Sequence, residues 1–138
     1  MEEKNARLRI CSRMREPDGG LHEIKNARRG VFRGEDGGIA LEYDDEQDGE
    51  RAHILLTADA RGAQMVRRGM TSARLRFVPG ERIASAYVTP YGEIPVAVDT
   101  RGVRIERWEN GGTLLLDYDV YVGGERTAST QLEVAWRL

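Results

Sequence analysis

Hydrophobic and polar residues alternate along most of this chain, and turn residues interrupt the alternation at regular intervals. After Ile83 the pattern is clearest. Ile94, Val96 and Val98 share one parity while Glu93, Ala97 and Asp99 take the other, the period of two of a half-buried strand. Thr89-Pro90-Tyr91-Gly92 precedes that run, with Pro90 presetting φ for a tight turn and Gly92 tolerating a positive φ. A second bend is predicted at Asp99-Thr100-Arg101-Gly102, followed by another alternating run through Val103 and Ile105 towards Trp108.

The same signature repeats from the start. Leu8, Ile10, Ser12 and Met14 fall on one face and Arg7, Arg9, Cys11, Arg13 and Arg15 on the other, until Glu16-Pro17-Asp18-Gly19-Gly20 turns the chain. The segment from Leu21 to Arg33 is less regular, since Asn26 and Arg28 share the parity of Ile24 and Gly30. A bulge near Gly30, resetting the parity and turning Val31 inward, would restore the pattern. Ile39, Leu41 and Tyr43 are then predicted to face in, and an acidic loop over Asp44–Glu50 leads to a strand at Ala52–Thr57. Strands follow at Ala63–Gly69 and Ser72–Val78, the second with Ala73, Leu75 and Phe77 inward and Arg74 and Arg76 outward. After the turn Glu109-Asn110-Gly111-Gly112, the positions Leu114, Leu116, Tyr118, Val120 and Val122 point in, as do Leu132, Val134 and Trp136 beyond Gly123-Gly124.

Turns about every ten residues, with no sustained 3.6-residue period, predict an all-β fold. A single helical turn around Pro79–Ile83 is the one helical candidate. About ten strands joined by short turns must curl to bury one face, so residues 1–138 read as one antiparallel up-and-down β-barrel domain. Closure also removes the edges that invite aggregation. Pro95 dissents: it lacks a ladder donor and marks an edge, a bulge or incomplete closure.

Composition supports this picture. Hydrophobic residues make up 40% and 16 glycines are dispersed along the chain, which suits many short strands and not a helical bundle. The opening residues have no secretory-signal pattern, Leu114-Leu115-Leu116 is far short of a membrane span, and Cys11 is the only cysteine. A soluble protein of the reducing cytoplasm, without a membrane partner, is the expectation. The net charge of −2 points to no partner, but charge is unevenly spread: residues 35–50 hold eight acids and no base, and residues 51–82 hold seven arginines against two acids.

At wider range the residues resemble a known family. Arg67-x-Gly69, Phe77-x-x-Gly80, Tyr87, Thr89-Pro90-Tyr91-Gly92 and Thr100 stand in an ordered set, with Gly30 upstream and Asp117-Tyr118-Asp119 downstream. This set is similar to that of the YwiB-like proteins, a bacterial domain of unknown function. Asn26-Ala27-Arg28 departs from the family in being smaller and more polar. The resemblance implies a calycin-type, lipocalin-like β-barrel and a cytoplasmic setting. It brings no catalytic or ligand residues with it.

Chemistry is sparse. His22 and His53 lie far apart with one cysteine, so no metal set is expected. Asp44-Asp45-Glu46-Gln47-Asp48-Gly49 imitates the start of a calcium loop, yet the twelfth position is Leu55 where a bidentate Glu is needed. No Gly-x-Ser-x-Gly turn or cofactor motif occurs, and Asp117 and Asp119 read more simply as outward alternation than as a glycosidase pair. An enzyme is therefore the weakest reading. Two others remain. A barrel of this size either fills itself or holds one small ligand. Tyr43, Tyr118 and Trp136, with Arg28, Arg67 and Tyr87 as polar groups, are the candidate lining for a ligand, with an arginine gripping an anionic group. The competing explanation is an arginine ion pair at the rim with aromatics packing the core. The alternative function is a protein- or RNA-interaction module with a filled barrel and a basic outer stripe of Arg7, Arg9, Arg13 and Arg15, extended by Arg74 and Arg76 if those strands are neighbours. Against it, no aromatic stands among those arginines for bases to stack on. Nothing in the pattern fixes an oligomeric state.

Overall fold

The computed structural model describes residues 3–138. Its strands are β1 (Glu3–Arg15), β2 (Leu21–Glu35), β3 (Gly38–Gln47), β4 (Glu50–Asp59), β5 (Gly62–Gly69), β6 (Ser72–Phe77), β7 (Arg82–Thr89), β8 (Gly92–Trp108), β9 (Gly111–Val122) and β10 (Glu125–Arg137). Each pairs antiparallel with the next, and β10 returns to β1, so the all-β, up-and-down barrel closes with ten strands. Five hairpin turns, from β1–β2 to β9–β10, ring one end of the barrel; the other four connections lie at the opposite end.

Alternation places the side chains as the pattern requires. Leu8, Ile39, Leu41, Leu56, Phe77, Val98, Leu114, Leu116 and Val134 point inward and are less than 2% exposed. These side chains belong to one buried hydrophobic cluster in the middle of the barrel. Thr100 also lies there, its Oγ1 the one fully buried side-chain polar atom without a hydrogen-bond partner among the described residues.

Several expectations need correction. The bend at Asp99–Gly102 is instead a β-bulge within β8, which runs unbroken for 17 residues. Register slips between Thr100 and Gly102, and the extra residue, Arg101, reaches outward to Asp117 at 2.6 Å and Asp119 at 2.5 Å. No bulge occurs at Gly30. The β1–β2 register is continuous through it, leaving Val31 outward opposite Asn5 and Phe32 inward. Glycine is needed there for space, because an added Cβ would stand 2.9 Å from Leu8 Cδ1 and 3.1 Å from Tyr43 Cβ. The helical turn around Pro79–Ile83 is a tight turn in which Glu81 N–H donates to Val78 O at 3.0 Å and Gly80 takes a φ of +81°. The acidic loop shrinks to Asp48-Gly49, both at positive φ, because β3 and β4 extend through its flanks.

Pro95 turns out to be compatible with closure. It faces Ala86 of β7, while the β8–β9 ladder begins only at Val96. Its missing donor therefore lies just past the end of the neighbouring strand.

Gly111 and Gly112 belong to β9 rather than to the turn, and each seats a tryptophan. A Cβ on Gly112 would overlap the buried Trp136 indole, and one on Gly111 would stand 3.2 Å from Trp108 Nε1. Replacing Gly112 with alanine should therefore destabilise the protein by about 1–3 kcal/mol, the usual range for overpacking a closed core. Gly102→Ala, with nothing within 4 Å of the new methyl, should leave stability unchanged or raise it by up to about 1 kcal/mol. Urea unfolding of the two variants against the parent protein measures both.

Candidate functional site

The hairpin-ringed end is where polar groups enter the barrel. Tyr43 on β3, Tyr87 on β7 and Tyr118 on β9 point inward from three parts of the wall. Tyr118 meets the Phe77 ring edge-on at 4.7 Å, which anchors it to the core below. Burial, followed by the neighbouring Tyr87 and Tyr43 hydroxyls, holds the Tyr118 phenol well above its ordinary range. Burial pushes Tyr43 up to about 12, reinforced by Asp45 and opposed by Arg28 and Arg67. Tyr87 is also raised by burial and opposed by Arg67. All three tyrosines, and Arg67 on β5, stand in the halves of their strands nearer this end of the barrel. At neutral pH all three phenols keep their protons and can donate hydrogen bonds.

The two candidate arginines differ sharply. Arg28 spans the gap where β2 and β3 part: their pairing stops at Gly30–Tyr43, and nothing pairs with β2 beyond it on that side. Its Nε and Nη2 donate to Asp45 Oδ1 at 3.1 and 2.9 Å, and Nη1 donates to Ala27 O at 2.9 Å. Arg28 is thus the rim ion pair that competed with the ligand reading. Arg67 projects inward from β5, opposite Ile54 and Ala73, and is half-buried. Its Nε donates to Thr71 O at 3.1 Å, and among the described residues no carboxylate lies in salt-bridge reach of it.

Trp136 does not join this group. It stacks on Phe32 at 5.4 Å, with the Arg107 guanidinium over the far side of the cluster at 5.6 Å from the Phe32 ring centre. Both aromatics are buried, so Trp136 packs the core and lines no opening.

Asp45 is the residue that sequence reasoning missed. It belongs to the stretch expected to form an acidic loop, although it shares the parity of Tyr43 and so faces in. Asp44, next to it, turns outward and accepts from His53 Nδ1 at 2.7 Å, while His53 Nε2 lies 2.5 Å from Glu42. The two hydrogen bonds, to Asp44 first and Glu42 second, raise the His53 pKa. All of the calcium-like stretch but Asp48-Gly49 lies in β3 and β4, so it forms a two-residue hairpin turn and not a twelve-residue ion-wrapping loop. No group of three or more metal-ligating side chains occurs among the described residues. A cleft of about 770 Å³ opens beside this rim, lined by Arg28, Asp45, Arg51, His53 and Arg68 among others.

Asp117 and Asp119 do not form a catalytic pair. Both are bound by Arg101, and Ser129 Oγ donates to Asp119 at 2.6 Å. Burial pushes Asp119 up, but Ser129 and Arg101 outweigh it and leave the carboxyl below its ordinary range.

A closed, ten-stranded, antiparallel up-and-down β-barrel is the class of protein these features define. The chain belongs to the DUF1934 family, described as a domain of unknown function, whose model matches residues 8–134. Among curated proteins it is similar to the "Uncharacterized beta-barrel protein YwiB" of Bacillus subtilis (strain 168), with 23% identity over 111 residues, 80% of this chain and 78% of the relative. The crystal structure of the ywiB protein from Bacillus subtilis has the same fold, with a TM-score of 0.87 at 21% identity over 98% of this chain and 92% of that one.

The raised Tyr43 phenol carries a pH consequence. A phenol with a folded pKa near 12 against an unfolded value of 10.0 binds more protons in the folded state between those limits. Its contribution is complete below pH 10 and is lost as pH rises towards 12, a decline of about 2–3 kcal/mol. Tyr43→Phe should flatten that decline, as measured by urea unfolding at stepped alkaline pH.

Proposed function

We propose that this protein binds one small anionic molecule at the hairpin-ringed mouth of the barrel. The observation that carries the reading is Arg67: a guanidinium directed into a closed barrel, half-withdrawn from water, with no acid opposite it. Its Nη1 and Nη2 atoms suit a carboxylate or phosphate, which a planar fork grips with two parallel hydrogen bonds. Tyr43, Tyr87 and Tyr118 supply neutral donors and ring faces around the bound group. Arg28, held by Asp45, shapes the rim instead of contacting the anion directly, and Trp136 supports the wall from the core.

The packed middle of the barrel sets the size. A ligand rests on Phe77 and Tyr118 rather than descending past them, so a compact molecule with one anionic group fits better than a long-chain lipid. Binding rather than catalysis follows from the donors: the phenols are all shifted away from ionisation, and none can serve as a base at neutral pH. The lone Cys11 is compatible with the reducing cytoplasm, where such a ligand would be a metabolite.

A thermal-shift screen of small carboxylates and phosphate esters at neutral pH tests this. The expected result is a restricted set of anions that raise the melting temperature in a concentration-dependent way. Arg67→Gln should abolish the shift while leaving the unliganded melting temperature close to that of the parent. Equal shifts in parent and Arg67→Gln, or none with any anion, would rule the reading out.

A further inference from the structure

We infer that the outer wall running from β2 through β1, β10 and β9 to β8 binds single-stranded nucleic acid, with Arg29, Arg7 and Arg137 on its phosphates and Trp108 stacked on a base. This site stands on the opposite side of the wall from the barrel interior and is independent of Arg67.

Register creates the surface. Arg7 lies directly opposite Arg29 on one side and Arg137 on the other, and all three side chains are outward and exposed. Arg137 in turn faces Gly111, and Gly111 faces Trp108. One row therefore reads Arg29, Arg7, Arg137, Gly111, Trp108 across five strands, about 19 Å at the usual strand spacing. Because Gly111 has no side chain, the Trp108 indole lies across it, and the indole is 57% exposed. Arg9 stands on the next row between Ala27 and Ala135, whose small side chains leave its guanidinium open.

Like charges directly opposite each other in a sheet are destabilising. This chain places three in a line, and among the described residues no acid stands in that row. None of Arg7, Arg9, Arg29 and Arg137 is in a salt bridge among the described residues, whereas Arg13 is paired with Glu23 and Arg33 with Glu42. On the neighbouring row the outward Glu106 is occupied by Arg104 at 3.8 Å. A cleft of about 690 Å³ lies at the arginine end of the row, lined by Asn5, Arg7, Arg29 and Arg137 among others. Four unpaired guanidiniums on a protein of net charge −2 make a local field opposite to that of the whole molecule. Arg74 and Arg76, by contrast, lie on β6 across the barrel and take no part.

An aromatic platform at the end of a cationic row is the equipment of single-strand binding, where the backbone follows the charge and a base covers the ring. Acidic peptides would use the arginines but leave the indole idle. A duplex hides its base faces. The row contacts phosphate and base face, not sugar, so RNA and DNA strands are expected to bind alike.

The test is fluorescence titration of the full chain with oligouridylate and oligothymidylate about twelve nucleotides long, within the range of single-strand sites. Trp136 is buried, so quenching by a stacked base reports on Trp108. Saturable quenching by both oligonucleotides is expected, weakening steeply with salt. Trp108→Ala should lose the quench and weaken affinity roughly tenfold, as measured by anisotropy of a labelled strand, whereas Trp108→Phe should retain most of the affinity. The triple variant Arg7→Gln, Arg29→Gln, Arg137→Gln should make the salt dependence shallower by about two log units per log unit of salt, and Arg67→Gln should change neither readout. The proposal is overturned by absence of quenching at low salt, by unchanged affinity of Trp108→Ala, by equal binding of a duplex or of polyglutamate, or by binding confined to one sugar type.

Discussion

The ladder between β1 and β10 is the contact on which the remaining structure depends, because it turns a ten-strand meander into a closed wall. Nine residue pairs, from Arg7–Arg137 to Arg15–Ser129, join the first strand to the last. On the inner side the register sets Leu8 beside Trp136, Ile10 beside Val134 and Ser12 beside Leu132. Shifting it by a single residue would carry all of these into solvent and bring the arginines of β1 inside. Burial of the inner set and exclusion of the arginines both select the observed pairing. That pairing also lines up Arg7 with Arg137 and Arg29 on the outside.

Closure also decides where function can reside. Leu41, Leu56, Leu116 and Phe77 are wholly buried in one core cluster, so the middle of the barrel is apolar and shut off from solvent. Apart from the hydroxyls of Thr100 and Thr130, polar groups face inward mainly where the wall loosens. Between β2 and β3 the strands part beyond Gly30, and the Arg28–Asp45 pair spans the gap. Between β6 and β7 only Ser72–Val88 and Ala73–Tyr87 remain paired. Arg67 and Tyr87 flank this second seam, the most sparsely paired part of the wall.

Much of the fold was legible because a period of two carries a residue's facing with it. Leu114, Leu116, Val134, Ala73 and Phe77 are all inward, as their parity required. The failures share one cause: glycine and turn-type residues have more than one use. Gly30 is small because Leu8 and Tyr43 press on it, Gly111 and Gly112 because two indoles lie over them, and Arg101-Gly102 bulges without reversing the chain. None of these needs can be read from neighbours in sequence. Part of the inward set was legible: Tyr43 and Tyr118 follow from parity, whereas Arg67 and Tyr87 were offered only as polar groups whose facing the pattern left open, and Trp136 has the right parity but packs against Phe32. Asp45 could have been found from its parity with Tyr43. The row of Arg29, Arg7, Arg137 and Trp108 could not, since it exists only through cross-strand register over five strands.

Native-state hydrogen exchange resolved by residue tests closure most directly. If the β1–β10 ladder holds the wall together, amides of Leu8–Met14 and of Thr130–Trp136 that lie within it should exchange only through global unfolding, as slowly as those of the β8–β9 ladder. Amides at the β6–β7 seam should exchange much sooner. Fast, independent opening of β1 or β10 while β3, β4 and β9 stay protected would show that the barrel stands without its closing pair, and would contradict the account.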